Sequence, residues 1–125
     1  CQHLSDENYK IYDVVRQANE AAINKVRVGI SVGLVDDVAT SILENSPYAD
    51  FILHKTGHGL GIDIHEAPQI LRSNKTLMAQ GMVFTIEPGL YITGELGVRI
   101  EDNVHVGQDG ADCLTSFDKK VQVFG

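Results

Sequence analysis

Phe51 to Pro68 read FILHKTGHGLGIDIHEAP, and the organisation of the whole chain follows from how this stretch is read. Three histidines, His54, His58 and His65, fall within twelve residues and are separated by Gly57, Gly59 and Gly61. Three glycines in five positions oppose a helix, since each costs about 1 kcal/mol of helix propensity. The step from His54 to His58 is therefore not one helical turn. Phe51-Ile52-Leu53 leads in as an apolar run, and alternation resumes at Ile62 and Ile64. The stretch reads as extended chain, a glycine-rich bend, then extended chain again. Glycine lets backbone approach a ligand closely, so the imidazoles can converge on something small.

On either side of this stretch the pattern changes. Upstream, Ser5 is placed to cap a helix whose first turn carries Asp6 and Glu7. Ile11, Val14, Ala18, Ala21 or Ala22, and Val26 recur at three- and four-residue steps, which predicts an amphipathic helix of about five turns. Asn19 and Asn24 are its only weak helix formers. Gly29 ends it, Ser31 offers a second cap, and a shorter helix runs to Asn45, stopped by Ser46-Pro47. In that helix Asp36-Asp37 reads as a solvated face. Both helices read as scaffold whose apolar faces need a sheet to cover.

Downstream, Pro68 to Met78 reads as loop. Met82 to Tyr91, MVFTIEPGLY, alternates so that Val83, Thr85 and Glu87 share one face and Phe84 and Ile86 the other. Gly97 to Gly107, GVRIEDNVHVG, places Val98, Ile100, Asp102, Val104 and Val106 on one face and Arg99, Glu101, Asn103 and His105 opposite. Lys119 to Val123 is a candidate final strand, with Asp109-Gly110 as the turn before it. Helices followed by antiparallel strands predict an α+β domain.

Composition bounds the function. The 125 residues allow one domain with a real core, and 43% hydrophobic with 22% charged residues is ordinary for a folded protein. A net charge of −7 opposes binding to nucleic acid or anionic membrane, so neither is expected as a partner. No run approaches the length of a membrane span, and residues 1–20 lack the order of a secretory signal. Two cysteines, Cys1 and Cys113, are too few for a disulfide framework, which favours a reducing, cytoplasmic setting.

Glu87 and Glu101 carry the chemistry. Each lies within an otherwise apolar strand, where a carboxylate must be paired, protonated or metal-bound. Glu101 has a same-face partner in Arg99, and Glu87 could lie on a wet face. A histidine in the glycine-rich segment, added to the two carboxylates, makes a site suited to a hard or borderline divalent ion. HExxH is absent because Gln69 stands where the second histidine would be, and no CxxC, P-loop or G-x-S-x-G occurs. No signal supports Cys113 as a nucleophile.

HKTGHGLGIDIHEAP, FTIEPGLY and GVRIEDNVHV, in that order, closely resemble the C-terminal part of the pita-bread metallopeptidases, peptidase family M24, which contains methionine aminopeptidases, Xaa-Pro aminopeptidases and prolidases. The resemblance covers nearly the whole chain. It implies the C-terminal half of a pita-bread fold, with two helices packed on a curved antiparallel sheet. It implies further that His58 and Glu87 ligate one metal ion and that Glu87 helps shuttle a proton, while Glu101 bridges two ions. His65 would stabilise the scissile carbonyl as charge develops, His54 would hold the substrate, and Arg99 would support the carboxylates. His65 has a plainer reading as a strand histidine bonded to a carbonyl.

His54 and the run from Gly97 to Asp102 resemble the proline-directed branch, which implies a peptide with proline at its second position as substrate and two divalent ions, manganese, cobalt or zinc, as cofactor. Methionine aminopeptidase, a creatinase-like hydrolase and a catalytically silent binding domain are the alternatives. The family also uses two aspartates, expected upstream of residue 1; Asp6, Asp13, Asp36 and Asp37 fall in helical patterns and do not replace them. Residues 1–125 are thus expected to be the C-terminal portion of a catalytic domain. Alone, this portion is expected to hold at most one ion weakly, to be inactive, and to require the missing half or a second copy as partner.

Overall fold

The computed structural model describes residues 3–124; Cys1 lies outside the described residues. Helix α1, Asp6–Lys25, starts at the Ser5 cap, whose side chain accepts a hydrogen bond from the Asn8 amide at 3.2 Å. Helix α2, Val32–Glu44, follows after Ser31. Seven short strands come next: β1 Gly57–Gly59, β2 Glu66–Ile70, β3 Val83–Ile86, β4 Gly89–Ile92, β5 Leu96–Arg99, β6 Asp102–Val106 and β7 Ala111–Cys113. Five of them form an antiparallel sheet in the order β2-β1-β3-β6-β7, and β4 and β5 form a separate hairpin.

The two helices pack against each other and onto the strands. Val15, Ala18 and Ala22 of α1, Val35 and Ala39 of α2, and Phe84, Ile86, Val104 and Val106 of the sheet are all completely buried. Phe84 and Ile86 face this core, so Thr85 and Glu87 emerge on the other side, as period-two alternation requires.

Several expectations are corrected. The glycine-rich triplet is not a bend but a strand, β1, paired on both sides. Glycine is needed there for closeness: a Cβ at Gly57 would overlap the Thr85 carbonyl oxygen, and one at Gly59 the Ala67 carbonyl oxygen. The bend falls later, over residues 61–65, where Ile62 and Ile64 are exposed rather than alternating into a core. Phe51 closes a 3-10 turn, Ala49–Phe51, and the extended backbone that follows at Ile52 joins no sheet. The loop expected from Pro68 begins only after Ile70, because β2 pairs with β1 up to that residue.

The final strand is β7, immediately after the Asp109-Gly110 turn, and residues 119–123 are not a strand. Residues 97–107 alternate in burial as expected, but over two strands in different sheets. Asp36 is buried rather than solvated. Its carboxylate accepts from the Thr40 hydroxyl at 3.1 Å, the Thr56 amide at 3.0 Å and the Arg72 amide at 2.7 Å. Only its neighbour Asp37 is on the outer face, paired with Arg72 at 2.7 Å.

Candidate active site

Strands β1 and β3 lie side by side, which brings His58 next to Thr85 and Glu87. The His58 amide donates to the Thr85 hydroxyl oxygen at 3.0 Å, and that hydroxyl lies 3.2 Å from Glu87 Oε1. The β3–β6 ladder ends at the pair Ile86 and Asp102, and the β4–β5 hairpin starts at Gly89 and Arg99. Glu87 and Glu101 therefore sit opposite each other at the junction where the two chains leave one sheet and enter the hairpin. His54, His58, His65, Glu87, Arg99 and Glu101 all line one cavity of about 510 Å³.

Polar partners fix several of these groups. His58 Nδ1 lies 3.0 Å from the Gly59 carbonyl oxygen, which can only accept, so Nδ1 carries a proton. Nε2 then faces Glu87 Oε1 at 3.3 Å, with both side chains largely buried. His54 is held in the same way: Nδ1 donates to the Lys55 carbonyl at 2.7 Å, and Nε2 accepts from the Tyr91 hydroxyl at 2.8 Å. His65 is exposed at the mouth, its ring centroid 4.3 Å from that of His58. The Arg99 guanidinium reaches both carboxylates, 3.9 Å from Glu87 and 3.7 Å from Glu101.

An imidazole nitrogen facing one carboxylate, with a second carboxylate lining the same cavity, is chemistry of the kind that suits a divalent cation. Arg99 already shows that positive charge is held between the carboxylates. Among the described residues, no three His, Cys, Asp or Glu side chains come close enough to enclose an ion by themselves. Further ligands would have to complete the shell. Sequence reasoning had missed Thr85 and Tyr91. Thr85 was legible from its place two residues before Glu87 on the same face; Tyr91 was not, because its bond to His54 crosses from the hairpin to a loop.

The fold carries a cavity lined by acidic residues and histidines, and comparison with known proteins gives its family. A model of metallopeptidase family M24 matches residues 2–108, and the chain belongs to that family. It is 49% identical to YkvY of Bacillus subtilis over 93% of its length, and 41% identical to the Xaa-Pro dipeptidase of Lactobacillus helveticus over 95%. It covers 32% of each. The dipeptidase PepE from Mycobacterium ulcerans superposes with a TM-score of 0.93 at 35% identity, over 96% of this chain and 32% of that one. The prolidase from Thermococcus sibiricus does so with a TM-score of 0.90 at 46% identity, over 93% and 32%. The chain thus spans about a third of the length of the curated relatives it matches, and with the solved structures it shares the pita-bread fold. Among the described residues, no helix is long and apolar enough to cross a membrane.

Proposed function

We propose that the intact protein is a metal-dependent peptidase that cleaves the bond between an N-terminal residue and a following proline, as an Xaa-Pro dipeptidase or aminopeptidase. The observation that carries this reading is the convergence of three histidines and two glutamates, drawn from residues 54–101, on one cavity. Similarity to proteins named Xaa-Pro dipeptidase and prolidase supports the substrate class. His58, Glu87 and Glu101 would hold divalent ions, with manganese, cobalt or zinc as candidates, and with upstream aspartates completing the set. Bound there, such ions would lower the pKa of a water and polarise the scissile carbonyl.

The chain's own residues do the rest. Glu87, with one oxygen beside the Thr85 hydroxyl, takes the proton of the attacking water and returns it to the leaving proline nitrogen. His65, open to the cavity, donates a hydrogen bond to the carbonyl oxygen as it gains charge, a contribution worth about 3 kcal/mol. His54, locked between the Lys55 carbonyl and Tyr91, offers a fixed ring edge against the substrate beyond the scissile bond. Arg99 offsets the repulsion between the two glutamates. The free thiol of Cys113 is exposed, which suits a reducing compartment, and a cytoplasmic location is part of the reading.

Residues 1–125 alone would bind at most one ion weakly and be inactive, and would pair with the rest of the domain or with a second copy. Hydrolysis of Xaa-Pro dipeptides by the intact protein, with and without manganese after treatment with a chelator, tests the activity. Manganese-dependent cleavage that is lost in Glu101→Ala is the expected result. Absence of cleavage for any Xaa-Pro substrate, with the metal bound, would favour a silent binding domain.

A further inference from the structure

Backbone pairing around Glu87 and Glu101 is thin. Regular pairing stops at Ile86 and Asp102 and resumes at Gly89 and Arg99; in the gap that holds both glutamates the Ile100 amide donates to the Pro88 carbonyl at 3.4 Å, with no return bond because proline lacks an N–H. One side chain spans that gap from behind. Asn19, completely buried on α1, points its amide nitrogen at three acceptors: Asp102 Oδ2 at 2.9 Å, the Ile100 carbonyl at 3.3 Å and the Ile86 carbonyl at 3.4 Å. One N–H serves the carboxylate and the other is shared by the two carbonyls.

Those carbonyls belong to the peptide groups that lead into Glu87 and Glu101. Holding them sets the direction in which each glutamate leaves the backbone. The Ile86–Glu87 peptide is held at its other end as well, because the Glu87 amide donates to the Thr56 carbonyl at 2.6 Å. Asn19 is itself oriented. Lys119 Nζ donates to Asn19 Oδ1 at 2.7 Å and lies 2.8 Å from Asp102 Oδ2, so the amide cannot flip without losing every bond. A weak helix former in the middle of α1 thereby has a reason to be there.

We propose that Asn19, oriented by Lys119, is a positioning residue that fixes the separation of Glu87 and Glu101 for metal binding. The proposal rests on the reading of those glutamates as metal ligands. Outer residues that orient ligands typically change metal affinity by about 10–100-fold when removed.

Calorimetric titration of the intact protein with manganese, well below its unfolding temperature, tests it. Asn19→Ala is expected to weaken binding by on the order of tenfold or more. Val15→Ala serves as the control: Val15 is equally buried on α1 but outside the network, so the variant is destabilised yet should keep its affinity. Lys119→Met, which opens no cavity in the core, is expected to weaken binding in the same direction and keeps the test decisive if Asn19→Ala does not fold. Affinity unchanged in Asn19→Ala or, where that fails to fold, in Lys119→Met overturns the proposal alone. Failure of the unaltered protein to bind manganese overturns the metal reading and the proposal with it.

Discussion

His58 Nε2 faces Glu87 Oε1 at 3.3 Å, while its other ring nitrogen is committed to the Gly59 carbonyl. A neutral imidazole held this way turns a lone pair toward a carboxylate oxygen, a contact that only a proton or a cation between them makes favourable. A metal ion binds the unprotonated imidazole nitrogen and the carboxylate, so manganese affinity of the intact protein is expected to fall on acidification. His58→Ala should weaken manganese binding at least about tenfold, since it removes the imidazole that faces Glu87 in the largely buried floor. Calorimetric titration over a series of pH values measures both effects; pH-independent binding would contradict the first.

The alternation of residues 82–91 and 97–107 made the face carrying Glu87 and Glu101 legible, because period two distributes side chains in the same way whether or not a strand is broken. What it could not reveal was the break itself. Glu87-Pro88 and Ile100-Glu101 lie between two sheets, and that depends on partners distant in sequence. The helices were legible from Ser5, Ser31 and the apolar spacing, except that α1 ends at Lys25 and not at Gly29. β1 was misread because glycine is a poor strand former by composition, whereas here its missing side chain admits Thr85 and Ala67 at close range. Asp36 was misread because helical spacing says which residues share a face, not which backbone groups of another segment will meet that face.

The closeness of β1 to its neighbours gives a second prediction. A methyl group at Gly57 or Gly59 meets backbone oxygen, which cannot rotate away as a side chain would. Gly57→Ala and Gly59→Ala should each destabilise the fold by about 1–3 kcal/mol or more, measured by urea unfolding. Gly29→Ala offers a contrast in cause: it has open space but a φ of 81°, so its cost would be conformational. The two β1 variants should also lower manganese affinity, because the strand that moves carries His58, whereas Gly29→Ala should leave affinity unchanged.

Asp36 joins α2 to the segments on both sides of the site. Its acceptor bond to the Thr56 amide sits one residue from β1, and the Thr56 carbonyl in turn holds the Glu87 amide. Asp36→Ala leaves the amides of Thr56 and Arg72 without partners, at about 1–3 kcal/mol for each one that water does not reach. A loss of about 2–4 kcal/mol is expected by chemical denaturation. Asn at this position keeps one acceptor oxygen but turns its NH2 group toward a backbone donor, so Asp36→Asn should recover only part of the loss.

Asp102 gives the fold a defined acid sensitivity. Burial disfavours its charged form, but hydrogen bonds from Lys119, Thr115, Asn19 and Cys113 together outweigh that cost and hold the carboxyl below the usual carboxylate range. A folded-state value below the unfolded one means that the carboxylate stabilises the fold at every pH above the unfolded value, near about 3.9, and that this contribution is lost as pH falls through the folded value. Asp102→Asn removes it at neutral pH and leaves Lys119, only 23% exposed, facing a neutral amide. The variant should therefore be less stable by about 3–5 kcal/mol at pH 7, toward the lower figure because Lys119 retains some contact with water. As pH drops below about 4 the deficit should shrink, since the unaltered protein must then take up the proton that the variant never needs. Urea unfolding of both proteins at pH 7 and at pH 3 measures the two deficits, and equal deficits would show that Asp102 stabilises through its shape rather than its charge.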